Sequence, residues 1–148
     1  MPHTYSNLLF HIVFSTKDRL PLITSSLRPR LYEYMGGTIR GLGGCLIEIG
    51  GISDHVHILI NIKPTARLSD FMRELKSSSS KWANEVTNGN FEWQTGYGVF
   101  TVSMSQIDAV QRYIQNQERH HVGINFEDEF KNLLHLSKTE FDEKYLWR

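Results

Sequence analysis

Three things are scarce in this 148-residue chain: cysteine, net charge and long apolar runs. A single cysteine, Cys45, cannot form an internal bridge, so no disulfide framework supports the fold. Lys plus Arg and Asp plus Glu each number 16, giving no formal net charge and hence no global field that draws the protein to a polyanion. A slight basic surplus over residues 1–117 and an acidic one over 118–148 permit a local basic groove without establishing one. The longest apolar run, Leu8 to Phe14, is broken by His11 and falls far short of the roughly 20 residues that span a bilayer, so no membrane segment is expected. Met1 to Asn7 lacks the basic start and apolar stretch of a signal peptide, and a cytoplasmic location is expected. There is no internal repeat, and the one low-complexity tract is Ser77 to Ser80.

What remains is a globular composition. Hydrophobic residues make up 40% and charged residues 22%, which excludes a disordered or fibrous class, and the length suits one domain. Leu8 to Ser15 reads as a strand apolar on both faces, with Leu8, Phe10, Ile12 and Phe14 on one side and Leu9, His11 and Val13 on the other. Leu27, Leu31, Met35, Ile39 and Leu42 recur at helical spacing. Gly36 and Gly37 fall inside that helix at about 1 kcal/mol each relative to Ala, which points to a close packing partner. Cys45 to Ile49 and His55 to Ile62 read as a hairpin turning through Gly50, Gly51, Ser53 and Asp54. A long amphipathic helix follows from Leu68 to Val86, with Ser69 as the expected N-cap. Tyr97 to Val102 forms a last strand, and Ser105 with Asp108 resembles a capping box that opens a helix to about His120. The order β, α, β, β, α, β is the split βαβ, ferredoxin-like α+β arrangement, with the first and third strands at the centre of an antiparallel sheet and an additional C-terminal helix carrying Tyr113. The expected organisation is a single domain over residues 1–148, with a core at 5–121 and an appendage at 122–148. The appendage carries a short helix through Phe126, Phe130, Leu133 and Leu134 and an apolar tail at Tyr145, Leu146 and Trp147.

Chemistry concentrates in two segments. Residues two apart on a strand share a face, so His55 and His57 project together while Val56, Ile58, Ile60 and Ile62 make the opposite, core-facing surface. Two neutral imidazoles at this spacing form half of a divalent metal site when second-shell acceptors orient them. A polar sheet surface is the competing reading of the same pair. On the following helix Tyr113 and Gln117 lie at i and i+4 and can face one point. A phenol is a poor nucleophile at its free pKa near 10, but a cation that polarises a phosphodiester lowers the barrier to its attack, and a glutamine carbonyl can complete the ligand set.

These segments, DHVHIL at 54–59 and YIQNQERHH at 113–121, resemble the His-hydrophobe-His, single-tyrosine transposases of insertion sequences, in particular those associated with repetitive extragenic palindromes. HIVFSTKDR, RELKSSSSKW, WQTGYGVF and FDEKYLW extend the resemblance over nearly the whole chain. It implies a metal-dependent endonuclease and strand transferase acting on single-stranded DNA at hairpin-containing ends. Tyr113 would attack the scissile phosphate to give a 5′-phosphotyrosine link and a free 3′-hydroxyl, while His55, His57 and Gln117 would hold Mg²⁺ or Mn²⁺. Nitrogen ligands are softer than magnesium prefers, which favours manganese. The resemblance also implies a homodimer, with Tyr113 acting in its own protomer or in the partner's.

Lys17 and Arg19 after the first strand, and Arg73, Lys76, Ser77 and Lys81 on the polar side of the long helix, are candidate DNA contacts or simply solvated charges. His11 fits a core position or the orientation of a ligand, and Asp54 a turn or a second-shell role. His120 and His121 suit a helix C-terminus, Trp82 and Trp93 the core, and Cys45 a small buried site. Two rival functions accompany the resemblance: a non-catalytic, domesticated binding protein for palindromic or hairpin nucleic acid, and a small-molecule metallohydrolase with no use for Tyr113.

Overall fold

The computed structural model describes residues 4–142, 146 and 147. Four strands, β1 (Leu8–Ser15), β2 (Cys45–Ile52), β3 (His55–Ile62) and β4 (Gly98–Thr101), form one antiparallel sheet in the order β2-β3-β1-β4. Helices α1 (Arg28–Gly41) and α2 (Leu68–Val86) complete the split βαβ order, and the first and third strands are central as the sequence requires. The register pairs Val13 with His57 and Ser15 with His55, which fixes the two histidines beside β1.

One face of the sheet carries the main core. Ile12 and Phe14 of β1 and Val56, Ile58, Ile60 and Ile62 of β3 meet Leu31, Met35 and Ile39 of α1 and Phe71, Met72 and Leu75 of α2. Gly36 makes room for this layer, since a Cβ there would stand 3.3 Å from Leu46 Cδ2 of β2; Gly37 is exposed and has no such partner, a Cβ there meeting only the end of Arg40 at 3.8 Å. On the other face lie α3 (Ile107–Gln115), α4 (Gln117–His120) and α5 (Phe126–Leu136). Here Val13 packs with Phe126, Phe130 and Leu134, and Phe100, Leu133, Leu146 and Trp147 extend the cluster. The C-terminal appendage is thus docked on the sheet; Tyr145 of its expected apolar tail lies outside the described residues. Among the described residues no helix is long and apolar enough to cross a membrane.

Several local expectations are corrected. Gly50 and Gly51 belong to β2, and the turn is the two residues Ser53 and Asp54. A Cβ on Gly50 would strike the Ile114 carbonyl, so glycine there lets the backbone of α3 approach the sheet. Ser69 lies inside α2, whose N-cap position is Arg67, with no side-chain cap. The expected helix from Ser105 to His120 is a 3₁₀ turn at Met104–Gln106 followed by α3 and α4, broken at Asn116. No capping-box bond forms there; the Ser105 hydroxyl lies 3.0 Å from that of Ser103. Cys45 is exposed at the start of an edge strand, not buried.

Candidate active site

His55 and His57 are fully buried, because the face of β3 that carries them is covered by the C-terminal helices. A polar sheet surface is therefore excluded. Each ring is held by a partner on the nitrogen away from the centre of the site. His55 Nδ1 lies 2.8 Å from Asp54 Oδ1, and His57 Nδ1 lies 2.8 Å from His11 Nε2. Both Nε2 atoms are thereby aimed at one point, the orientation that a hydrogen bond at the opposite ring nitrogen gives an imidazole facing a metal. Asp54 is both turn residue and orienting acceptor, and His11 is both buried and a partner of His57.

At that point stands Glu129 of α5. Its Oε1 lies 3.2 Å from His55 Nε2, 3.0 Å from His57 Nε2 and 3.0 Å from His121 Nε2. Its Oε2 accepts hydrogen bonds from the Tyr113 hydroxyl and from Gln117 Nε2 (3.1 Å), and His120 Nε2 is 3.4 Å away. Gln117 Oε1 in turn faces His55 Nε2 at 2.9 Å and His121 Nε2 at 3.1 Å. The Tyr113 ring packs edge-on against His57, with centroids 5.5 Å apart. Tyr113, His55, His57 and Gln117 are thus brought together within one chain, and the break at Asn116 does not separate Tyr113 from Gln117. Five of the seven histidines meet here, His120 and His121 contacting this cluster from the end of α4.

The electrostatics follow from burial opposed by this network. Burial pulls His55 down, but its bonds to Asp54, Glu129 and Gln117 outweigh that and raise its pKa to about 9. His57 has no such surplus, and burial lowers it to about 4; burial, with His57 alongside, takes His11 to about 3. Burial alone would raise Glu129, yet the bonds from His121, His55 and His57 hold it ionised far below the usual carboxylate range. Burial, followed by the charge of Glu129, pushes the Tyr113 phenol well above its ordinary value.

The donor set fits a divalent cation. His55, His121 and Glu129 each offer one ligand atom, all within 4.8 Å of one another, and His57 and Gln117 border them. Mixed imidazole, carboxylate and amide oxygen donors suit first-row metals and tolerate magnesium.

Residues 4–117 match the family model described as "Transposase IS200 like". The chain belongs to the IS200-like transposase family. Its members are DNA cleaving and rejoining enzymes, and this chain is one of them. The transposase for insertion sequence element IS200 of Salmonella typhimurium is 30% identical over 125 residues, covering 79% of this chain and 81% of the relative. The ISDra2 transposase TnpA of Deinococcus radiodurans is 25% identical over 118 residues, covering 74% and 84%. Among solved structures, a Deinococcus radiodurans protein superposes with a TM-score of 0.66 at 24% identity, covering 79% of this chain and 95% of that one. The REP-associated tyrosine transposase bound to a REP hairpin superposes with a TM-score of 0.63 at 12% identity, covering 84% and 74%. Both likenesses establish the transposase fold.

The expected DNA contacts are dispersed. Lys17 pairs with Glu92 at 3.4 Å, and Arg19 pairs with Glu127 of α5 at 2.8 Å while lying over the Trp147 ring. Arg73, Lys76 and Ser77 line a groove of about 450 Å³ with Trp93, Gln94 and Tyr97, which does not include Lys81. Arg73 is paired with Asp70, and Lys76 donates to the Gln94 and Gly96 carbonyls. Trp93 is buried in the core, whereas Trp82 lies at its edge stacked on Tyr34. Sequence reasoning missed Glu129. The available signal was an acid three residues after Phe126 and one before Phe130, on the apolar stripe of its own helix.

Proposed function

We propose that this transposase nicks and rejoins single-stranded DNA at hairpin-containing ends, with Tyr113 as nucleophile and His55, His57 and Gln117 holding Mg²⁺ or Mn²⁺. The observation that carries the reading is the convergence of the Tyr113 hydroxyl with both histidine Nε2 atoms and Gln117 around one buried point. A bound divalent cation would act as a Lewis acid on the scissile phosphodiester. Tyr113 Oη forms the new bond to phosphorus as the bond to the 3′-oxygen breaks. The phenol loses its proton and the departing oxygen gains one, leaving a 5′-phosphotyrosine and a 3′-hydroxyl. Attack by a 3′-hydroxyl on that link reverses the step on another strand without net hydrolysis. Asp54 and His11 fix the ring orientations, and the Tyr113 ring is held edge-on against His11 and His57. The hairpin bound by the structurally similar REP-associated transposase supports the choice of substrate. A homodimer is part of the proposal, with Tyr113 acting in its own protomer because it already reaches the histidines there.

The test is incubation of a labelled single-stranded hairpin with the protein and Mn²⁺ or Mg²⁺, followed by a denaturing gel. A covalent protein–DNA adduct is expected from the wild type. Tyr113→Phe should reduce it to background while hairpin binding persists, and His55→Ala should lose cleavage. An adduct that survives in the Phe variant overturns the assignment of the nucleophile. A shifted complex that never yields an adduct identifies a binding protein instead.

A further inference from the structure

Glu129 lies beyond residues 4–117, the span that matches the family model, yet it contacts every side chain assigned to the chemistry above. A buried carboxylate on an apolar helix stripe is costly unless it is compensated, and Glu129 is only 2% exposed. The compensation is unusual in kind: three imidazole nitrogens from two separate segments, β3 and the turn after α4, address a single oxygen at 3.0–3.2 Å. His55 has acceptors at both ring nitrogens, Asp54 on one side and Glu129 with Gln117 on the other. A proton on Nε2 satisfies that contact for His55 alone, whereas a cation shared by the ring nitrogens of His55, His57 and His121 and the carboxylate satisfies all of them with one particle. α5 holds the carboxylate there through Phe126, Phe130 and Leu134, which pack against Val13, and through the Arg19–Glu127 pair.

We propose that Glu129 is a metal ligand, an anionic oxygen donor brought by α5 to the ion held by His55 with His121 alongside, and that it sets the preference of the site for a hard divalent cation. This rests on the reading that the histidines hold a metal. Imidazoles suit zinc, copper and nickel, whereas carboxylate oxygen suits magnesium and manganese, so an anionic Glu oxygen added to the neutral imidazole and amide donors shifts the set toward the harder ions. Its second oxygen keeps the Tyr113 hydroxyl hydrogen-bonded beside the same ion.

The experiment is titration of the metal-free full-length protein with Mn²⁺, followed by the loss of the free-ion electron paramagnetic resonance signal, and a parallel calorimetric titration with Zn²⁺. Wild type, Glu129→Gln, Glu129→Asp and His55→Ala are compared, with thermal unfolding to establish that each is folded. Glu129→Gln is expected to lower Mn²⁺ affinity by about tenfold or more and Zn²⁺ affinity by less, while Glu129→Asp, which retains the charge, recovers part of the Mn²⁺ binding. Wild-type Mn²⁺ affinity in Glu129→Gln, with binding lost in His55→Ala, overturns the role of Glu129 and leaves the histidine site standing. An equal loss of both metals in Glu129→Gln and no recovery in Glu129→Asp marks a structural residue and also overturns it. Absence of Mn²⁺ binding by the wild type removes the metal site itself and the proposal with it.

Discussion

On one face of the sheet, Val56, Ile58, Ile60 and Ile62 meet the aliphatic side chains of α1 and α2; on the other, alternate residues of the same strand meet imidazoles and a carboxylate. Both faces are buried, so burial does not distinguish the core from the site. The difference lies in what compensates it. The apolar face is stabilised by area removed from water and tolerates rearrangement of similar volumes. The polar face depends on every donor finding its acceptor, because one missing partner leaves a buried group uncompensated. Side chains that contribute little to stability can therefore decide activity, and the reverse.

Ile58→Ala presents the sharpest way to separate the two. It should destabilise the protein by about 2–5 kcal/mol in denaturant unfolding, yet leave adduct formation per folded molecule unchanged. A loss of chemistry in the folded fraction would show that the faces are not independent. His11→Ala probes the other side: removing the partner of His57 Nδ1 should weaken metal binding by about 10- to 100-fold, measured by titration, with a smaller change in stability.

A third prediction concerns whether α2, the helix on the apolar face, touches DNA at all. Burial lowers Lys76 to about 8, so its ammonium is charged below that pH and neutral above it. If Lys76 contacts phosphate, single-strand affinity measured without metal should fall as pH rises through about 8, and Lys76→Gln should remove that step. The smallest effect is expected for Cys45→Ser. The exposed edge position should change unfolding stability by no more than about 0.5 kcal/mol and leave adduct yield unaltered.

Period-2 alternation in β3 and the double apolar pattern of β1 were enough to place both strands centrally and His55 and His57 on a common face. The family resemblance added Tyr113 and Gln117, and the structure brings all four together. What escaped had two physical causes. Local signals such as Ser69 and the Ser105–Asp108 pair specify caps only when nothing stronger competes, and tertiary packing moved both helix starts. Glu129 is joined to the site by a fold-back of the chain after Gly123, and His121 by the turn that ends α4, contacts that no spacing rule connects with β3. Cys45 was misjudged because a small apolar residue gives no hint of whether its strand end is covered.

The two-residue turn at Ser53 and Asp54 has a further consequence. A one-residue slip of β3 against its neighbours would carry the imidazoles into the aliphatic layer and the isoleucines out beneath the carboxylate. The tight bend, which pairs Ile52 directly with His55, thus anchors the register that keeps chemistry and core on opposite sides of one strand.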